Sequence, residues 1–401
     1  MIAVLAPAQP LLGAACCGCD LIGAMLTAAR TLAACSEARS LTASPCARPS
    51  SVVPRARVLT AWPCELAAYA EDPPTAKTAA SPAMIHREGI NLLLRKGSSP
   101  FRTLKVELAY GSAGGRWRIV IRLMEIHVAL PNGHQGVTVE QLAEIAQAAE
   151  ELGFSGVWPL DHLLVGPDLK DRYPWVIEPL TLLAYLAART RRIRLGTSVI
   201  VLGMRNPFVV AKQAATIDLL SGGRFTLGLG AGYSEPEFRN VGAAGAWSTR
   251  GKRLDEAIEL FRHLWSGAPG PFQGSFFAYE EGWFGPLPPQ GAELPIMIGG
   301  NSDAALSRAA KLGDVWQSTG TPPERFSPLA ERVRSLSGGR RVQVGARTTL
   351  EGDPKTVLDR IREYESAGAE HVCAYFGKRP QDFIPAMQAF AREVAPALAS
   401  R

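Results

Sequence analysis

From Met124 onward the apolar positions of the chain switch between two spacings. Short runs rich in β-branched residues give way to longer stretches in which apolar residues recur every three or four positions. The clearest passage is Ile193 to Phe238. Ile193, Leu195, Val199, Val201 and Leu202 make a strand. Pro207 suits the first turn of a helix, where a missing N–H is no loss. Val210, Ala214, Ile217 and Leu220 continue that helix, and Ser221-Gly222-Gly223 stops it. Phe225-Thr226-Leu227 begins a new strand that runs into Gly228, Gly230 and Gly232. Two strand–helix passages of this length imply parallel strands joined by right-handed crossovers.

The same alternation continues on both sides. Further strands are expected at 125–130, 156–160, 295–298, 314–317, 342–348 and 371–375. Helices are expected at 138–152, with Thr138 as N-cap and Gly153 as stop, and at 179–190, 249–265, 303–312, 323–336, 354–368 and 382–395. Residues 267–293 are rich in Gly, Pro and aromatics without a helical period, and read as an excursion over one end of the fold. Eight strands alternating with eight helices predict an α/β fold, a (β/α)8 TIM barrel. Such a fold places its ligand site at the carboxyl ends of the strands.

Composition changes the picture in the first part of the chain. The 401 residues are 47% hydrophobic and 20% charged overall, which is globular. Residues 1–123, however, hold 14 Lys and Arg against 7 Asp and Glu, whereas residues 124–401 hold 29 against 30. Six of the seven cysteines, Cys16, Cys17, Cys19, Cys35, Cys46 and Cys64, also fall in 1–123. The basic balance thus belongs to the extension and gives no reason to expect nucleic acid on the core. A secretory signal lacks its basic start, because no Lys or Arg precedes Leu12. No run of about 18 apolar residues supports a membrane span. The Cys16-Cys17-Gly18-Cys19 spacing is not that of a zinc module. We read 1–123 as a low-complexity, poorly structured or mis-annotated extension and 124–401 as the barrel, with Met124 as its start. The strand-like run Trp117 to Leu123 allows the first strand to begin earlier.

Several polar and glycine-rich positions fall at strand ends. Asp161-His162 follows the second strand; a local cap or pair is one reading and a proton-handling histidine the other. Thr197, Ser198 and Val199 end the third strand and have the periodicity of barrel core. Gly230 and Gly232 end the fourth, followed by Glu237, which can act as an acid or anchor a loop. Gly299, Gly300, Asn301 and Ser302 precede the fifth helix, where they either cap it or receive a phosphate. Trp175, Trp247, Phe276, Trp283 and Phe284 can wall an apolar pocket or pack the loops on themselves.

Leu195-Gly196-Thr197-Ser198-Val199, Arg205-Asn206-Pro207, Ala211-Lys212, Leu220 to Arg224 and Leu227-Gly228-x-Gly230, in this order, resemble the luciferase-like monooxygenase superfamily. Within it they are most similar to the coenzyme F420-dependent oxidoreductase branch. The resemblance covers Met124 to about Pro396 and implies a cofactor ring beside Asp161 and His162, with Thr197, Gly230 and Gly232 also in contact with the cofactor. It implies a non-proline cis peptide at Ser198-Val199 that supports the ring, and a phosphate at Gly299 to Ser302. Tyr233 stands where the sugar-phosphate dehydrogenases of the superfamily have Glu, which disfavours that activity. The function expected is hydride transfer between F420 and a small organic substrate. Alternatives are a monooxygenase using reduced FMN and a cofactor-binding barrel without turnover. A cytoplasmic homodimer with no nucleic-acid or membrane partner is expected.

Overall fold

The computed structural model describes residues 103–110, 117–267 and 270–399, with side chains from Met124 to Leu398. Eight parallel strands form the barrel: β1 Trp117–Ala129, β2 Gly156–Trp158, β3 Arg194–Gly196, β4 Phe225–Gly230, β5 Ile296–Gly299, β6 Val315–Thr319, β7 Gln343–Thr349 and β8 His371–Tyr375. Each pairs with the next, and β8 pairs back onto β1, so the sheet closes. The helices between them are α1 Val139–Leu152, α2 Pro179–Arg189, α3 Pro207–Ser221, α4 Arg250–Trp265, α5 Asp303–Leu312, α6 Pro323–Leu336, α7 Pro354–Ser366 and α8 Pro380–Ala389.

The punctuation read from sequence explains the joints. Thr138 caps α1 by accepting from the Gln141 amide, and the Gln141 side chain answers the Thr138 amide. Gly153 ends the helix with φ 92°, a left-handed conformation that glycine adopts without penalty. Asn206 caps α3 and Pro207 occupies its first turn. The apolar stripes of the helices face the strands, where Leu142, Leu183, Ala214, Phe261 and Val333 are buried.

Two strands are shorter than their sequences predict. The strand expected to reach Leu160 leaves the ladder after Trp158, because Pro159 has no N–H and the Leu160 amide is taken by the Asn132 side chain at 3.0 Å. The third strand is interrupted at Thr197 to Val199, resumes at Ile200–Val201, and tightens into a short 3₁₀ turn at Leu202–Met204.

At its other end β1 is longer than expected. It runs without a break through Met124, and its first half pairs antiparallel with Thr103–Tyr110. The strand therefore begins at Trp117, while its pairing within the barrel begins at Glu125. The remainder of the expected extension, 1–102 and 111–116, lies outside the described residues. The excursion at 267–293 carries a small hairpin with two residues in each arm, Phe272–Gln273 and Ala278–Tyr279. Among the described residues, no helix is long and apolar enough to cross a membrane.

Candidate active site

The carboxyl ends of the strands converge on a cavity of about 530 Å³. Its walls come from the loop after β2, the ends of β6, β7 and β8, and α7. The rim aromatics singled out by sequence do not line it. Trp283 is 96% exposed, Trp175 is half-exposed, and Trp247 packs edge-on against Phe238. Tyr173, Tyr364 and Tyr375 line it instead.

Asp161 and His162 leave β2 in opposite roles. Asp161 is buried and accepts from the Val201 amide at 3.0 Å and from Arg205 through Nε at 3.1 Å and Nη2 at 2.6 Å. Arg205 also reaches Glu178 at 3.0 Å. Burial pushes the Asp161 carboxyl up, while Arg205 pulls the other way. Asp161 thus ties the loop after β2 to the continuation of β3 and to the start of α3.

His162 forms a dyad with Glu237. Its Nδ1 lies 2.9 Å from Glu237 Oε2, and both side chains are buried. Glu237 is placed by the short helix Glu235–Asn240, and its second oxygen accepts from the Leu163 amide at 2.7 Å. A carboxylate at Nδ1 assigns the proton to that nitrogen, leaving Nε2 as the acceptor. Nε2 faces the Tyr233 hydroxyl at 3.5 Å. Tyr173 stacks on the imidazole with ring centroids 4.1 Å apart, so His162 sits one ring behind the cavity wall.

The interruption of the third strand lies against the carboxyl ends of β4 and β5. The Ser198–Val199 peptide is cis. Thr197 is fully buried, and its hydroxyl is spent on Gly228, donating to the carbonyl and accepting from the amide, both at 2.8 Å. Ser198 donates to Gln317, whose amide nitrogen lies 3.3 Å from His371 Nε2. The Ser198 carbonyl accepts from Arg347, which also donates to the Tyr375 hydroxyl. Val199 sits between the ends of β4 and β5. A Cβ on Gly230 or on Gly299 would lie 2.6 Å from a Val199 methyl, so both glycines make room for that side chain. Gly232 has φ 85°, and a Cβ there would meet Phe238 and Val201 at 2.7 Å.

The stretch before α5 is engaged as well. The Gly300 amide donates to the Gln317 carbonyl at 3.2 Å, and its own carbonyl accepts from Trp316 Nε1 at 2.9 Å. Asn301 pairs with both backbone groups of Thr319. Ser302 caps α5 by accepting from the Ala305 amide at 3.3 Å.

The structure thus pairs His162 with Glu237 and seats Val199 against Gly230 and Gly299 at the carboxyl ends of the strands, behind the residues that line the cavity, and it spends Asp161, Thr197, Gly232, Gly300 and Asn301 on Arg205, backbone groups or packing. Sequence reasoning missed four residues. Asn132 is buried and holds the Leu160 and Ile177 carbonyls at 2.9 Å each. The other three are Gln317, Arg347 and Tyr173, which in sequence show only strand or loop membership. A charged residue at a strand's carboxyl end, such as Arg347, was the available signal.

A parallel barrel with an acid–base pair and a cavity at the carboxyl ends of its strands has the layout of a barrel enzyme. The chain belongs to the luciferase-like monooxygenase family, whose model matches residues 124–341. It is 34% identical over 205 residues to an uncharacterised protein of Mycobacterium tuberculosis (strain ATCC 25618 / H37Rv), covering 48% of this chain and 69% of that one. It is 29% identical over 277 residues to the pyrimidine monooxygenase RutA of Stutzerimonas stutzeri (strain A1501), covering 64% of this chain and 76% of that one. Solved structures share the fold. The coenzyme F420-dependent tetrahydromethanopterin reductase of Methanopyrus kandleri superposes with a TM-score of 0.59 at 18% identity, over 69% of this chain and 99% of that one. The oxygenating constituent of 3,6-diketocamphane monooxygenase of Pseudomonas putida, in complex with FMN, superposes with 0.57 at 15% identity, over 68% and 98%.

Proposed function

We propose that residues 124–401 form an F420-dependent oxidoreductase that exchanges a hydride with a small organic substrate in the barrel mouth. The observation that carries this reading is the His162–Glu237 pair. Hydride exchange at a C–OH or C=O centre requires one proton to be given or taken, and a carboxylate-oriented imidazole supplies that step. The residues present fit a deazaflavin. Val199, seated by Gly230 and Gly299, offers an apolar floor, and the first turn of α5, capped by Ser302, can meet a phosphate. When bound, the deazaflavin supplies the hydride chemistry. The protein's own groups do the rest. Glu237 holds the His162 proton on Nδ1, and Nε2 exchanges a proton with the mouth through the Tyr233 hydroxyl. Tyr233 stays protonated at neutral pH, since partial burial and Tyr173 push its pKa up.

The phosphate placement is tested at Ser302, because Gly300 has φ 125° and any side chain there strains the backbone. Ser302→Asp keeps an N-cap and adds a negative charge. It should weaken cofactor binding at least about tenfold, one factor of ten being about 1.4 kcal/mol. Unchanged affinity by fluorescence titration would move the phosphate elsewhere. A second reading, a monooxygenase using reduced FMN, is favoured by the similarity to a pyrimidine monooxygenase over 277 residues. Oxygen uptake that depends on added flavin would select it.

A further inference from the structure

Arg347 projects from the end of β7 into the cavity wall, and it is a cation among neutral groups. It donates to the Ser198 carbonyl and to the Tyr375 hydroxyl. Its guanidinium also lies over the Tyr375 ring, 5.1 Å from the centroid. Burial pushes the nearby Cys373 thiol up to about 12 and raises the Tyr375 phenol, so neither carries charge at neutral pH. Among the described residues, Arg347 has no ion pair with a carboxylate. Arg172 and Arg360 line the same cavity, and among the described residues no Asp or Glu does. Arg360 is shared with Glu363 at 3.2 Å on the exposed side of α7. A largely buried guanidinium without an anion is costly, and a cavity open beside it admits one.

We propose that this cavity binds the anionic end of the substrate, a carboxylate or phosphate group, with Arg347 at its base and Arg172 at its rim. The inference rests on the oxidoreductase reading for the word substrate, and it narrows that substrate to small organic acids or phosphate esters. Arg is suited to this task because its planar fork meets such oxyanions through two parallel N–H donors. Thr319 and Thr349 also line the cavity, and their hydroxyls would satisfy remaining oxygen lone pairs of the anion.

The test uses the purified full chain and calorimetric titration with benzoate, its neutral isostere benzamide, and inorganic phosphate. Benzoate or phosphate should bind, and benzamide should bind at least tenfold more weakly than benzoate. Arg172→Gln, at an exposed position, should weaken anion binding severalfold with an unchanged melting temperature. Arg347→Lys should weaken it at least tenfold while keeping the charge. Equal binding of benzoate and benzamide, absence of binding by both anions, or wild-type anion affinity in both variants would overturn the proposal. Competition separates the two sources of an anion. If F420 or FMN displaces benzoate, the site belongs to a cofactor phosphate and the substrate assignment falls. A sample that binds benzoate but neither cofactor would instead sink the oxidoreductase reading and leave the anion site standing.

Discussion

At the scale of single residues, the proposed chemistry turns on the difference between His162 and Asp161. They are adjacent in sequence, yet Asp161 is saturated by Arg205 and the Val201 amide, and His162 keeps one ring nitrogen for use. His162→Ala should lower kcat by about 10²-fold or more with little change in cofactor affinity, as expected on losing a general acid–base group. Glu237→Gln should also lower kcat, because an amide at Nδ1 can donate and so turn the imidazole proton to Nε2. Its signature is a shift of the pH–rate profile, read from steady-state kinetics across pH. A Glu237→Gln enzyme with wild-type kcat and profile would show that the dyad is only structural.

At the scale of elements, the sequence was informative where a period repeats and uninformative where distant segments meet. The alternation of spacings revealed the strands and helices of the barrel, and Thr138, Gly153 and Pro207 marked their ends, whereas the Asn206 cap emerged only in the structure. The glycines were legible as a group but not in their purposes. Gly230 and Gly299 looked like ligand contacts, and each makes room for Val199, which comes from a different strand. Thr197 looked available and is consumed by Gly228. No local pattern reports such contacts, because they exist only after closure of the barrel. Gly228 gives the sharpest expectation. A Cβ there would lie 1.8 Å from the Thr197 carbonyl oxygen, a backbone atom that cannot swing away. Gly228→Ala should therefore cost ~3 kcal/mol or more, at the upper end of overpacking, and a thermal melt should show a drop of several degrees. An unchanged melting temperature would contradict the close approach of the third and fourth strands.

At the scale of the whole molecule, two expectations concern folding. The ladder that closes the barrel uses Glu125 to Ala129 of β1, on both sides. A chain beginning at Met124 keeps that ladder, gives up the antiparallel pairing with Thr103–Tyr110, and should fold and melt cooperatively. Insolubility of that chain would assign a structural role to the upstream strand. The second concerns acid. His371 is buried in the barrel interior, and burial, with His127 and Arg194 adding to it and Glu125 opposing, lowers its pKa from 6.5 to about 3. Between those values the unfolded chain binds a proton that the folded chain refuses. Stability should thus fall as pH drops from about 6.5 toward 3, by up to ~1.4 kcal/mol per pH unit from this residue. Denaturant melts of His371→Gln should show a shallower acid-side slope than the wild type. An identical slope in the two proteins would show that His371 does not set the acid response.

A side-by-side fluorescence titration of the purified protein with F420 and with FMN separates the two cofactors. An F420-dependent enzyme should show saturable F420 binding and at least about a hundredfold weaker FMN binding, a gap of about 2.7 kcal/mol. Tight FMN binding with no response to F420 would contradict the F420 reading.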